Sequence, residues 1–196
     1  MAKPRVGAYV GRFQPPHRGH IHAILYALSQ VDELVIIIGS AQYSHEDDNP
    51  FTAGERLEML RAALDEAGVD RRRYLIIPVS DTHVHSIWVS HVLAYTPRFD
   101  VVFTNEPLTA RLFKEAGFEV RPIPFLEREK YCATEVRRRV LNSGDWEELV
   151  PPAVARLMKE RGWLERMVEL ARTDNPAKNR LIGTQMARKS AWEGRN

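Results

Sequence analysis

The sequence predicts a doubly wound α/β fold built on a parallel sheet, and three observations carry that expectation. Short apolar runs alternate with stretches of helical period from residue 6 to residue 122. The run at 34–38 is apolar without a break, as in a strand covered on both faces. Small or polar residues, Gly11, Ser40, Asp81 and Asn105, stand at the carboxyl ends of the expected strands, where open parallel sheets bind ligands.

Val6, Ala8 and Val10 alternate with Gly7, Tyr9 and Gly11, which predicts the first strand. Ile21, Ile24, Leu25, Leu28 and Val31 follow at helical spacing. The second strand, 34–38, ends at Gly39-Ser40. Thr52 and Glu55 have the spacing of a capping box, and Leu57, Leu60, Leu64 and Ala67 continue that helix until Gly68 stops it. Strands at 74–79, 101–104 and 119–122 then alternate with helices at 87–95 and 108–116. Residues 145–171 read as helical, interrupted by Pro151-Pro152 and Gly162, with Val154, Leu157, Met158, Trp163 and Met167 available to pack on the sheet. From Arg172 the period fades, and six Lys or Arg stand against two Asp or Glu. The expected organisation is one domain over 1–171 and a mobile basic tail over 172–196.

At 196 residues and 44% hydrophobic, the chain can bury one sizeable core. The net charge of +2 is too small, and its signs too interspersed, to argue for nucleic acid; a small anionic substrate fits. Cys132 is the only cysteine, so neither an internal disulfide nor a multi-cysteine zinc site can form. His45, His83, His85 and His91 lack zinc-ligand spacing, and no metal site made of side chains is expected. Residues 1–5 lack a signal peptide's apolar segment, and no run approaches the roughly 20 apolar residues of a membrane span. A cytoplasmic protein without membrane contact is the expectation.

The segment Gly11-Arg12-Phe13-Gln14-Pro15-Pro16-His17-Arg18-Gly19-His20 lies at the first strand-to-helix turn. The first N–H groups of a helix lack partners and sit at the positive end of its dipole, so such a turn stabilises a phosphate. His17 and His20 fall on one side of the helix start, Arg12 arrives from the strand, and Gly19 would let a ligand approach the backbone. By chance alone, H-x-G-H in a chain this long is expected on the order of one time in a hundred. At 131–137 a second helix opens, with Thr134 offering a hydroxyl and Arg137 a permanent charge to phosphate oxygens.

With these residues in view, the sequence resembles the nucleotidyltransferase superfamily that carries the (H/T)-x-G-H signature. The longer string is similar to that of the archaeal-type nicotinamide-nucleotide adenylyltransferases. Thr134 and Arg137 match the superfamily's second signature, I-S-x-T-x-x-R, in which Cys132 replaces the usual serine. The likeness continues through 39–45, 50–56, 77–81 and 88–91 and spans about the first 165 residues. It implies a Rossmann-like sheet with carboxyl-terminal helices, and in-line transfer of the adenylyl group of ATP to nicotinamide mononucleotide, giving NAD and pyrophosphate. It also implies Mg²⁺ carried on the ATP phosphates and a homo-oligomer, commonly a hexamer. The residues so implied for catalysis are His17, His20, Arg12 and Arg137. Those for ATP are Gly11, Arg12, Phe13, Gly19, His20, Cys132, Thr134 and Arg137. Those for the second substrate are Ser40, Asp81, Trp88, Asn105 and Phe125.

Three other functions fit parts of the pattern. The superfamily also adenylylates pantetheine phosphate and flavin mononucleotide, against which Trp88 and its neighbours speak, since a polarised pyridinium suits an aromatic face. Cys132 is compatible with a nucleotide sensor whose catalysis has lapsed. H-x-G-H also occurs in class I aminoacyl-tRNA synthetases, for which this chain is too short. Taken alone, Trp88 reads more readily as a core tryptophan, and Phe125 equally as a loop residue covering core.

Overall fold

In the computed structural model, which describes residues 3–171, five parallel strands form one sheet in the order β3-β2-β1-β4-β5. β1 (Val6–Gly11) lies at the centre, paired with β2 (Glu33–Ile38) on one side and β4 (Val101–Phe103) on the other. β3 (Tyr74–Pro78) and β5 (Glu119–Arg121) form the edges. Winding therefore runs outward from β1 to β3, then restarts beside β1 at β4. The carboxyl ends of β1 and β4 diverge there, at the switch point where this architecture binds ligands.

Side-chain alternation divides β2 between two cores. Leu34, Ile36 and Ile38 join Tyr9 and Phe103 on the face that carries α1 (Arg18–Leu28) and α2 (Ala53–Glu66). Val35 and Ile37 join Ala8 and Val102 on the face carrying α3 (Trp88–Tyr95) and α4 (Pro107–Glu115). Both faces are covered, which is why the run at 34–38 contains no polar residue.

The structure shifts several details of the sequence pattern. Leu25 is exposed, because the buried stripe of α1 turns toward Ala23 and Ala27, whose small side chains let the helix lie close to the sheet. Val31 is buried but lies beyond the helix. In α2 the covered stripe is Arg56, Met59, Leu60, Ala63 and Leu64, with Leu57 at its margin and Ala67 an exposed C-cap. After α5 (Ala133–Leu141), the expected helical region splits into α6 (Pro152–Glu160) and α7 (Trp163–Ala171). These pack chiefly on α2, on α5 and on each other rather than on the sheet, which α1 and α2 already cover. Among the described residues no helix is long and apolar enough to cross a membrane. The basic segment 172–196 lies outside them.

α1 and α5 start side by side. A Cβ on Gly19 would stand 3.0 Å from the carbonyl oxygen of Tyr131, just before α5, and 3.1 Å from the His17 ring. The space a side chain would take at Gly19 is thus used by the protein itself, to bring two helix starts together. Gly19→Ala is expected to force them apart and cost about 1–3 kcal/mol, as overpacking does; an unchanged urea midpoint would show that the contact yields freely.

Candidate active site

Three hollows open on the carboxyl side of the sheet. A cleft of about 670 Å³ is lined by Gly11, Arg12, Ser40, Asp81 and Trp88, together with Tyr43, His83, His85 and Glu106. A neighbouring hollow of about 510 Å³ is lined by Arg12, His17, Gly19, His20, Asn105, Phe125 and Cys132. A third, of about 450 Å³, takes in Thr134 and Arg137 with the loop residues Glu46, Asp47 and Asp48. Among the described residues, Arg12 is the one cation that lines both of the first two. The residues expected around the second substrate are therefore divided: Ser40, Asp81 and Trp88 share the first cleft, while Asn105 and Phe125 face the histidine hollow.

His17 is the N-cap of α1, and it forms a reciprocal capping box with His20. The His20 backbone N–H donates to His17 Nδ1 at 3.3 Å, and the His17 N–H donates to His20 Nδ1 at 3.3 Å. Each Nδ1 is an acceptor, so each ring carries its proton on Nε2. The rings stack with centroids 3.6 Å apart, and Phe13 closes the far side of His20 at 4.7 Å. Burial pushes His17 down to about 3. Burial, reinforced by His17, also holds His20 well below its ordinary value. The pair is thus neutral at physiological pH, and it presents two oriented N–H donors rather than two cations.

Phe13, expected among the ATP residues, has no exposed surface; its ring fills the space beside Gly11 and supports His20. Asn105 spends both ends of its amide on the Ile123 backbone, fixing the chain after β5. Ser40 donates through its N–H and hydroxyl to the two Asp81 carboxylate oxygens, at 3.2 and 2.6 Å, so these residues tie the ends of β2 and β3. Trp88 opens α3, half-buried, with its edge against Phe113 and a surface left for the cleft. Cys132 is the N-cap of α5, and its side chain caps nothing. Glu135, which a serine there could have engaged, is held by Arg138 and Arg139 instead. Among the described residues, no side chain accepts from the first amides of α5.

Arg56 was absent from the sequence expectations and is central here. Fully buried, it donates to the carbonyls of Thr52, Arg12, Gly39 and Ser40 at 3.2, 2.8, 2.9 and 3.1 Å. Burial lowers it to about 10, so it remains a cation. The available signal was a charged residue on the apolar stripe of α2, a position lysine or arginine takes only when its donors are used inside.

Residues 8–139 match the cytidylyltransferase-like family. The chain is 51% identical over 168 residues to a nicotinamide-nucleotide adenylyltransferase of Thermococcus onnurineus, covering 86% of this chain and 89% of that one. It is 47% identical over 168 residues to the same-named protein of Saccharolobus solfataricus, covering 86% and 98%. The fold is similar to that of a bifunctional NMN adenylyltransferase/ADP ribose pyrophosphatase from Francisella tularensis, solved with AMP and a manganese ion. There the TM-score is 0.68 at 21% identity; the match covers 98% of this chain and spans 56% of that longer one.

The histidine pair carries a pH signature. In the unfolded chain each imidazole protonates below about pH 6.5, whereas in the fold it stays neutral, so the unfolded state binds more protons and stability falls as pH falls. The slope is roughly 1.4 kcal/mol per pH unit for each histidine, and for His17 it ends near 3. His17→Asn, which keeps an N-cap acceptor, is expected to flatten the dependence of the urea midpoint between pH 6 and 4. A slope equal to that of the parent protein would mean that His17 is charged in the fold.

Proposed function

Since the chain belongs to the cytidylyltransferase-like family, and within it to the nicotinamide-nucleotide adenylyltransferases, we propose that it transfers the adenylyl group of ATP to nicotinamide mononucleotide, forming NAD and pyrophosphate. The observation that carries this reading is the placement of Arg12 between two hollows, one lined by the Trp88 ring and one by the His17 and His20 donors. The mononucleotide lies in the first, its pyridinium against Trp88, and the ATP in the second.

The acceptor's 5′-phosphate, with a second pKa near 6, is mostly dianionic at neutral pH and needs no general base. It attacks the α-phosphorus in line; the new P–O bond forms as the bond to the β-phosphate oxygen breaks, and pyrophosphate leaves with that electron pair. Positioning and charge stabilisation are the protein's share. The Nε2–H groups of His17 and His20 donate to the phosphoryl oxygens as charge moves, and their orientation is set beforehand by the reciprocal cap. Arg12 holds the phosphates where the substrates meet, and Arg137 with Thr134 holds the triphosphate beyond the start of α5.

Among the described residues no group of three or more His, Cys, Asp or Glu side chains is placed to hold a metal ion. The metal would be carried on the nucleotide, and Mg²⁺ in that position would neutralise charge on the departing pyrophosphate. A homo-oligomer, a hexamer by family resemblance, and a cytoplasmic location belong to the same proposal.

Incubated with ATP and Mg²⁺, the protein is expected to form NAD and pyrophosphate with nicotinamide mononucleotide, and no dinucleotide with pantetheine phosphate or flavin mononucleotide. Product from either of the latter would overturn the role given to Trp88, and nucleotide binding without product would overturn catalysis. His20→Ala should lower kcat by about a hundredfold to a thousandfold, the usual cost of one preorganised donor, with the melting curve still cooperative; near-parental turnover would remove His20 from the mechanism. Cys132→Ser should leave kcat unchanged and hold or lower the KM for ATP, since a hydroxyl adds an acceptor and donor at the α5 start; a large loss of activity would contradict this.

A further inference from the structure

The guanidinium expected to hold the triphosphate is already engaged by an anion of the chain itself. One terminal nitrogen of Arg137 donates to the Gln14 carbonyl at 2.9 Å, and the other donates to Asp48 Oδ1 at 2.7 Å. The two partners differ sharply in exposure: the Arg137 side chain retains 9% of its surface and the Asp48 side chain 78%. Burial lowers the arginine's pKa, and Asp48 acts against that shift. A desolvated cation left without an anion is strongly unfavourable, whereas an exposed carboxylate rehydrates at little cost.

Asp48 sits at the tip of a closed turn. The Glu46 and Asn49 backbones bond to each other in both directions, at 3.3 and 3.1 Å, which leaves Asp47 and Asp48 between them. The turn is anchored on either side. Arg56 holds the Ser40 carbonyl before it, and the Gln14 side chain pairs with both backbone groups of Phe51 after it, at 2.9 Å each. Its flanks are therefore fixed to the floor of the site while its tip reaches over the hollow that contains Thr134 and Arg137.

We infer that Asp48 is an exchangeable counter-ion for Arg137, resting on the reading that Arg137 binds the triphosphate. In the free protein the carboxylate occupies the terminal nitrogen. A triphosphate oxygen takes the same donor when ATP binds, and Asp48 turns out into water. As pyrophosphate leaves, the carboxylate returns. The buried cation passes between anions and is never unpaired. ATP and pyrophosphate are both held less tightly than the arginine alone would hold them, and product release is assisted by an anion of the chain.

The test is to measure ATP binding without acceptor, the KM for ATP and inhibition by inorganic pyrophosphate in Asp48→Asn, with Asp47→Asn as a control of equal charge change. Asp48→Asn should tighten ATP and pyrophosphate by the same factor, about three- to tenfold, and Asp47→Asn by less than twofold. Unchanged affinity in Asp48→Asn overturns the exchange. Weakened affinity also overturns it, by showing that the carboxylate works with the bound nucleotide, and an equal effect of Asp47→Asn reduces it to general repulsion from an acidic turn. Arg137→Gln, with Arg137→Lys should the first not fold, separates this from the underlying reading. Unaltered ATP affinity in those variants would remove Arg137 from triphosphate binding. Weakened ATP there, beside an inert Asp48→Asn, would refute the exchange alone. The effect of Asp48→Asn should disappear in the Arg137 variant background, and its persistence there would also refute the exchange.

Discussion

One desolvated guanidinium, that of Arg56, satisfies the carbonyls just beyond the ends of β1 and β2. Strands in a parallel sheet stop abruptly at their carboxyl edge, and the chain that leaves them carries backbone groups that no neighbouring strand pairs. In an open site, water would take these groups. Here an arginine from α2 reaches under the turn and binds the carbonyls of Arg12, Gly39 and Ser40 together. Four of its interactions go to backbone oxygen, so among the described residues its charge is not consumed by a carboxylate within bonding distance and contributes positive potential beneath the turn between β1 and α1.

The same device recurs with other residues. Gln14 joins the first turn to Phe51 through two hydrogen bonds of its side-chain amide, and Arg137 donates to the Gln14 backbone carbonyl. Asn105 pairs with Ile123, and Ser40 pairs with Asp81. Polar side chains at the strand ends are largely occupied in holding one loop to another. Among the described residues, the groups proposed to act on the phosphates are few: the two Nε2–H donors, Arg12, Thr134 and Arg137, with the helix start at Cys132. Neutral histidines suit the proposed reaction, since fixed donors can follow charge redistribution without adding cations that would hold the product.

Much of this was legible in the sequence. The alternation of apolar runs and helical stretches, the unbroken run at 34–38 and the capping box at Thr52 all appear in the fold, with element ends shifted by one to three residues. The turn with His17 and His20 and the second helix start with Thr134 and Arg137 were legible as motifs, and both stand at the carboxyl side of the sheet. Local periodicity could not tell which flank of α1 would be buried, because Leu25 and the pair Ala23 and Ala27 border the same stripe. Nor could it assign α6 and α7 to other helices, because an amphipathic helix reads the same whichever apolar surface it covers.

Residue types and their spacing determined by themselves the strand-helix alternation, the positions of the turns and the chemistry those turns offer, since each depends on neighbours within a few residues. Tertiary structure alone decided what each side chain does there. It drew Gly19 against Tyr131, placed Arg56 under the strand ends, set Asn105 and Phe125 in a different hollow from Trp88, and laid Asp48 on Arg137 across 89 residues of chain. A hydrogen bond or ion pair is fixed by distance and desolvation, and between residues far apart in sequence both exist only once the cores have closed.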